Sequence, residues 1–353
     1  MSGRHGAVVG QAIGAVRLAD GTRVAYATSG GGPPLLFVPG WVSHVELGWA
    51  LTPERRFYEG LSQGRTLVRY DRPGCGLSDA APDRDLVELE MEVIAAVTAR
   101  LDIGRFDVLG TSMSVPLAVR WAASRPETVD RLVLCGGWAD GGRIAEPEVR
   151  AHLLGLVRQH WGLGSEVLTG FFAPDADAAF RAALAAHQRH SASAADAERL
   201  LGACYSMSVV GDLSGVRART HVIHREGDRA APLREARRLA DGIPGARLTL
   251  LPGRAHMPFD GDAEGLLAAI RRCLDLPALP PPVPSEGAVL TARQLEVARL
   301  VAGGLTNRDI AARLVLSERS VESHVDRIRA RLGFRSRAQV AAWYATTHPT
   351  APS

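Results

Sequence analysis

The 353-residue chain contains no lysine, so all 41 of its cationic side chains are arginine. Aromatic residues are scarce, at 5%. No run of 18 apolar residues occurs, which removes any candidate transmembrane helix and any expected membrane partner. The four cysteines, Cys75, Cys135, Cys204 and Cys273, are widely spaced, with no CxxC pair and no Cys/His cluster. That spacing argues against a zinc site and a disulfide framework, and fits reduced thiols in cytoplasm. No histidine stands at metal-ligand spacing from a second ligand, so no metal is expected. The N-terminal Met1-Ser-Gly-Arg-His-Gly lacks an apolar signal core, which leaves a cytoplasmic location as the expectation.

What is present is enough for a large domain and a small one. Hydrophobic residues reach 46%, which supports a sizeable core. Charge is unevenly placed. Residues 286–353 hold ten arginines against six acidic residues, whereas the rest of the chain is close to balance. A basic excess confined to one end suits a part that meets phosphates.

Along the chain, Ala15 to Thr28 alternates around Ala19-Asp-Gly21 and predicts an opening hairpin. Pro34–Val38 and Arg65–Tyr70 predict short buried strands. A helix is expected over Leu86–Leu101, a strand over Phe106–Leu109, a helix over Val115–Ser124 and a strand over Arg131–Cys135. Strands alternating with helices at this spacing predict a mostly parallel sheet covered on both faces. From about 143 to 210 that rhythm stops. The stretch predicts a helical cap, within which Trp161, Phe171, Phe172, Tyr205 and Met207 either pack internally or line a pocket. Strands return at Thr220–His224 and Ala246–Leu251, and helices follow at about Leu233–Asp241 and Ala263–Leu274. Then Pro277 to Pro284 places five prolines in eight residues, a semi-rigid extended linker.

The chemistry centres on Val108-Leu-Gly-Thr-Ser-Met-Ser114. Strand, tight turn and helix with Ser112 at the turn is the nucleophile-elbow pattern, although a Ser/Gly-rich loop would carry the same letters. A serine nucleophile needs a base and a group that orients the base. Asp228 and His256 follow two later strand ends in the chain order Ser, Asp, His, and Glu226 is an alternative to Asp228. Gly227-Asp228, Gly253-Arg-Ala-His-Met-Pro258 and Asp71-Arg-Pro-Gly-Cys-Gly-Leu-Ser78 complete the set.

On these motifs, residues from about 15 to 275 resemble an α/β-hydrolase. The resemblance implies Ser112 as nucleophile, His256 as general base and then acid, and Asp228 as its orienting partner. It implies an oxyanion hole from the N–H groups of Met113 and Trp41, ester, lactone or thioester chemistry, and no cofactor. Two departures stand out: Pro39-Gly40 replaces the family's frequent His-Gly, and Ser114 replaces the last glycine of the elbow. Asp71, Arg72 and Asp79 are expected as turn and ion-pair residues, and Cys75 as a small buried thiol.

The C-terminal stretch is different. Thr291-Ala-Arg-Gln294 is a capping box opening a helix to about Val301. Thr306 starts a second helix. Ser317 caps a third, to about Leu332, which Gly333 stops. Ser336-Arg-Ala-Gln339 caps a fourth. A tight turn between the second and third predicts a helix-turn-helix. The segments Leu290-Thr-Ala-Arg-Gln-Leu-Glu-Val297, Gly304-Leu-Thr-Asn-Arg-Asp-Ile-Ala311 and Leu316-Ser-Glu-Arg-Ser-Val-Glu-Ser-His-Val325 resemble the LuxR-type (GerE-like) DNA-binding domain. On the third helix, Arg319, Glu322, Ser323 and Asp326 are the expected base readers. Thr306, Asn307, Ser317, Ser320 and Arg327 are the expected phosphate contacts.

The expected architecture is an α/β-hydrolase domain at 1–275 with a cap at about 143–210 and a linker at 276–286. An all-α LuxR-type domain follows at 287–346, then a tail at 347–353. The expected function is a cytoplasmic transcriptional regulator that binds double-stranded DNA as a homodimer and senses a small ester, lactone or acid. The alternatives are a serine esterase or lactonase whose turnover is the main function, and a hydrolase fold used only as a dimerisation scaffold.

Overall fold

Short apolar strands alternating with helices build one eight-stranded sheet. The computed structural model describes residues 10–279, 290–332, 334 and 336–348. The expected linker from residue 280 on, Gly333 and the tail from 349 lie outside the described residues. These residues fall into two compact units that divide after Ala278.

In the first unit the strands are β1 (Gln11–Arg17), β2 (Arg23–Gly30), β3 (Pro34–Val38), β4 (Thr66–Tyr70), β5 (Phe106–Thr111), β6 (Val129–Cys135), β7 (Arg219–Arg225) and β8 (Arg247–Leu251). Their order across the sheet is β1-β2-β4-β3-β5-β6-β7-β8. From β4 to β8 all neighbours are parallel, and β1 and β2 add an antiparallel hairpin at one edge. The central strands are buried almost along their whole length because helices cover both faces.

The helices are α1 (Val45–Ala50), α2 (Thr52–Ser62), α3 (Leu86–Arg100), α4 (Ser114–Ser124), α5 (Pro147–Gln159), α6 (Trp161–Phe172), α7 (Ala178–Ser191), α8 (Ala194–Ser206), α9 (Leu233–Gly242) and α10 (Ala263–Cys273). The pair α1–α2 was not expected from the sequence, because Gly48, Pro53 and Gly60 break the apolar period. A local cap starts α1, and Phe57, Tyr58 and Leu61 give α2 a buried face. The His44 ring accepts from Leu47 N–H, and Pro53 sits in the first turn of α2. Helices α5–α8 are all inserted between β6 and β7. They pack over Trp41, Met113, Leu117 and Trp138 through Val157, Leu168, Leu200 and Leu201.

The second unit holds α11 (Ala292–Ala302), α12 (Asn307–Leu314), α13 (Glu318–Leu332) and α14 (Arg337–Thr347). Val297, Ile310, Val321, Ile328 and Val340 close its core. Three capping boxes, Thr291/Gln294, Thr306/Asp309 and Ser336/Gln339, fix the helix starts. Between α12 and α13, Val315 takes the left-handed conformation (φ 56°) that makes the sharp turn. No described helix is long and apolar enough to cross a membrane.

Candidate functional site

The site begins where β5 runs into α4. Ser112 sits between them with φ 56°, a left-handed conformation that a non-glycine residue holds only under constraint. The constraint is visible on both sides: Ser112 N–H donates to the Cys135 carbonyl on β6, and Val115 N–H donates to the Ser112 carbonyl, each at 3.0 Å. Space matters too. A Cβ on Gly110 would come within 3.0 Å of Ala118 Cβ, so glycine is needed where α4 crosses the strand. Ser114, the departure from the family's elbow glycine, fits without crowding. Its hydroxyl accepts from Thr111 N–H at 2.7 Å and lies 2.8 Å from the Val38 carbonyl.

Two loops bring the partners. Ser112 Oγ lies 2.7 Å from His256 Nε2, and His256 Nδ1 lies 2.8 Å from Asp228 Oδ2. The other Asp228 oxygen accepts from the N–H groups of Ala230 and Ala231. Burial would push the Asp228 carboxyl up. The His256 ring, its hydrogen bond, His224 and Ala230 N–H outweigh that and hold it below the usual carboxylate range. Glu226, the alternative acid, is exposed and takes no part. Among the described residues, no group of three or more His, Cys, Asp or Glu side chains is placed to hold a metal ion.

The loop bearing His256 is held from two directions. From the sheet, Arg225 at the end of β7 donates to the carbonyls of Ala255 (2.7 Å), Met257 (2.9 Å), Asp260 (2.8 Å) and Asp262 (3.2 Å). From the cap, the Phe172 carbonyl accepts from His256 N–H at 2.8 Å and Met257 N–H at 3.3 Å. The sequence reading had not singled out Arg225.

The expected oxyanion donors flank the serine. Met113 caps α4 and is fully buried, and Trp41 lies in the loop after β3 beside Ser112. Arg72, expected as an ion-pair residue, is indeed paired: its Nε stands 3.4 Å from Glu90 Oε1, both side chains fully buried. It also donates to the Pro39 carbonyl and to Met113 Sδ. Asp71 is a turn residue whose carboxylate accepts from Val45 and Leu77 N–H, and Asp79 accepts from Arg23 N–H. The Cys75 thiol is buried and pushed up to about 12, which makes it inert.

Two cavities meet at Ser112, Trp41, Phe172 and His256. One, of about 70 Å³, runs toward polar side chains that include Asp71, His187 and Gln188. The other, of about 160 Å³, runs under the cap between Leu153, Leu168, Phe171, Leu201 and Tyr205. Of the five cap residues in question, Phe171, Phe172 and Tyr205 line this space. Trp161 packs edge-on against Trp41, and Met207 is buried.

In the second unit, Arg319, Glu322, Asp326 and Arg327 are exposed on α13, while Ser320 and Ser323 are half-buried. Asp326 pairs with Arg329 at 3.1 Å. Among the expected phosphate contacts, the Thr306 proton is already committed to Asp309 at 2.6 Å, and Ser317 accepts from Ser320 N–H. Asn307 accepts from Arg337 at 2.6 Å, which leaves its amide N–H groups as donors.

Residues 35–270 match the alpha/beta hydrolase family, and residues 288–344 match the luxR family of bacterial regulatory proteins. Over 247 residues the chain is 26% identical to a pimeloyl-(acyl-carrier protein) methyl ester esterase from Nitrosomonas europaea, covering 66% of this chain and 92% of that protein. It is 28% identical over 219 residues to a 2-hydroxy-6-oxononadienedioate/2-hydroxy-6-oxononatrienedioate hydrolase from Cupriavidus pinatubonensis, covering 59% and 75%. The enol-lactonase from Burkholderia xenovorans LB400 shares the fold, with a TM-score of 0.64 at 22% identity over 74% of this chain and 100% of that one.

Proposed function

The chain belongs to the alpha/beta hydrolase family and carries a luxR-family DNA-binding domain at 288–344, and from that premise we propose that it is a transcriptional regulator whose hydrolase domain receives a small ester, lactone or related acyl ligand. One observation carries this reading: a hydrogen-bonded Ser112–His256–Asp228 array opens onto two cavities in the same polypeptide as a DNA reader. The apolar cavity suits a hydrocarbon portion, with the reacting carbonyl at Ser112. Charge developing on that carbonyl oxygen is received by the N–H groups of Trp41 and Met113. Ser112 attacks, His256 takes its proton, and Asp228 keeps the ring in the required tautomer. A relative that is a methyl ester esterase supports the ester class.

In this reading the hydrolase domain is 1–275 and the output domain 287–346. The protein is a cytoplasmic homodimer on paired half-sites, and occupancy of the cavity alters dimer geometry. Arg319, Glu322, Ser323 and Asp326 face base edges. Asn307, Ser317, Ser320 and Arg327 set the register on phosphates, while Thr306, expected among them, spends its donors on Asp309 in the capping box. The test is titration of an operator fragment with and without short acyl esters, and after blocking Ser112. A shift in affinity supports sensing. An affinity unchanged under every condition removes sensing and leaves regulation.

A second reading, in which turnover itself is the function, is favoured by the triad distances of 2.7 and 2.8 Å. Hydrolysis of p-nitrophenyl esters that disappears in Ser112→Ala supports it. Failure of a fluorophosphonate to label Ser112 marks a pocket that only binds.

A further inference from the structure

We infer that Arg72 is a positioning residue that holds the two halves of the oxyanion hole at their working separation; this rests on reading Ser112 as the nucleophile. Arg72 lies in the loop after β4 and is fully buried. Its guanidinium spans three segments. Nη2 donates to the Pro39 carbonyl at 2.7 Å, and Nη1 donates to Met113 Sδ at 3.2 Å. Nε faces Glu90 Oε1 of α3 at 3.4 Å, and the other Glu90 oxygen accepts from Tyr70 OH at 2.7 Å.

The choice of partners points to the role. Pro39 is two residues before Trp41, and Met113 follows Ser112 directly. The two arms of one planar group therefore end on the two segments whose N–H groups serve the oxyanion. An oxyanion hole works only if its donors are fixed before charge develops, because donors that must reorient during the reaction lose their advantage. A buried charge is costly even when paired, and an apolar side chain of similar size would fill the space at less expense. Arg72 is thus better explained by what its arms hold than by packing. Lysine offers a point charge in place of a planar fork, so it keeps the pairing with Glu90 and reaches only one of the two segments.

The test uses the full chain. Arg72→Lys and the double variant Arg72→Met/Glu90→Gln, which leaves no orphaned buried carboxylate, are compared with wild type. The readouts are fluorophosphonate labelling of Ser112, kcat and KM for a p-nitrophenyl ester, thermal melting and operator binding. The expected result for the double variant is a kcat and labelling rate lower by about 10²–10³-fold with little change in KM, the loss typical of a missing oxyanion donor. Arg72→Lys is expected to fold, bind DNA and recover part of that loss. A folded double variant, or Arg72→Lys alone if the double variant does not fold, with wild-type kcat and labelling overturns the assignment. So does a loss confined to KM. A wild-type chain that is neither labelled nor active overturns the nucleophile reading and this role together, which separates the two failures.

Discussion

The Ser114 hydroxyl lies 2.8 Å from the Val38 carbonyl, so the first residue of α4 is tied to the last residue of β3. The same oxygen accepts from Thr111 N–H at 2.7 Å. All three groups are buried. Ser114→Ala removes these buried hydrogen bonds and is expected to lower stability by about 0.5–1.5 kcal/mol. Urea denaturation reads this directly. An unchanged midpoint would mean that water replaces the hydroxyl.

Asp228→Asn is expected to keep the fold and cut ester hydrolysis by about 10⁴-fold, because an amide no longer dictates which ring nitrogen of His256 carries the proton. Glu226→Gln, on an exposed side chain two residues before Asp228, is expected to leave the rate at the wild-type level. Steady-state kinetics on the two variants decide between the candidate acids. Equal losses in both would contradict the assignment.

Stability should fall on mild acidification. Burial holds His44, His221 and His224 below the ordinary histidine value, partly offset at each by carboxylates, including Asp71 and Glu46 at His44, Asp275 at His221 and Asp228 at His224. In the unfolded chain these rings take up protons at about pH 6.5, whereas the folded chain resists them, so the unfolded state gains as pH drops. Asp71, Asp107 and Asp260 are raised by burial and act in the opposite sense. Denaturation midpoints at pH 7.5, 6.5 and 5.5 are expected to decline through the last interval. A midpoint that stays flat or rises would show that the raised carboxylates offset the rings.

On DNA, Arg327→Ala is expected to weaken binding uniformly across sequences and to reduce the salt slope by about 1. Glu322→Ala is expected to relax discrimination at one base pair, worth about 1–3 kcal/mol, with little change in the salt slope. Fluorescence anisotropy over a salt series, on matched and mismatched operators, separates the two. Both side chains are exposed on α13, so neither change should disturb the core.

Much of this was readable in the chain itself. The elbow, the order Ser112, Asp228, His256 and the four C-terminal helices are local patterns, each written within a strand, a turn and a helix. The capping boxes are likewise four residues long. The hidden parts are of another kind. Arg72 reaches Pro39 and Met113 across separations of 33 and 41 residues. Arg225 reaches the histidine loop across 30 to 37. Most of their acceptors are backbone carbonyls, which leave no trace in residue type. Helix α1 escaped for the related reason that a cap at His44 defines its start, and α2 because Phe57, Tyr58 and Leu61 are a short apolar face among polar residues.

The Phe172 carbonyl, at the end of the cap helix α6, takes both His256 N–H and Met257 N–H. Lifting α6 as a free lid would strip the histidine loop of both bonds at once. The roof of the chamber and the histidine loop therefore share a seam, while Arg225 ties the same loop to the sheet. Opening the roof would release one of the loop's two anchors and leave the sheet-side anchor at Arg225 in place.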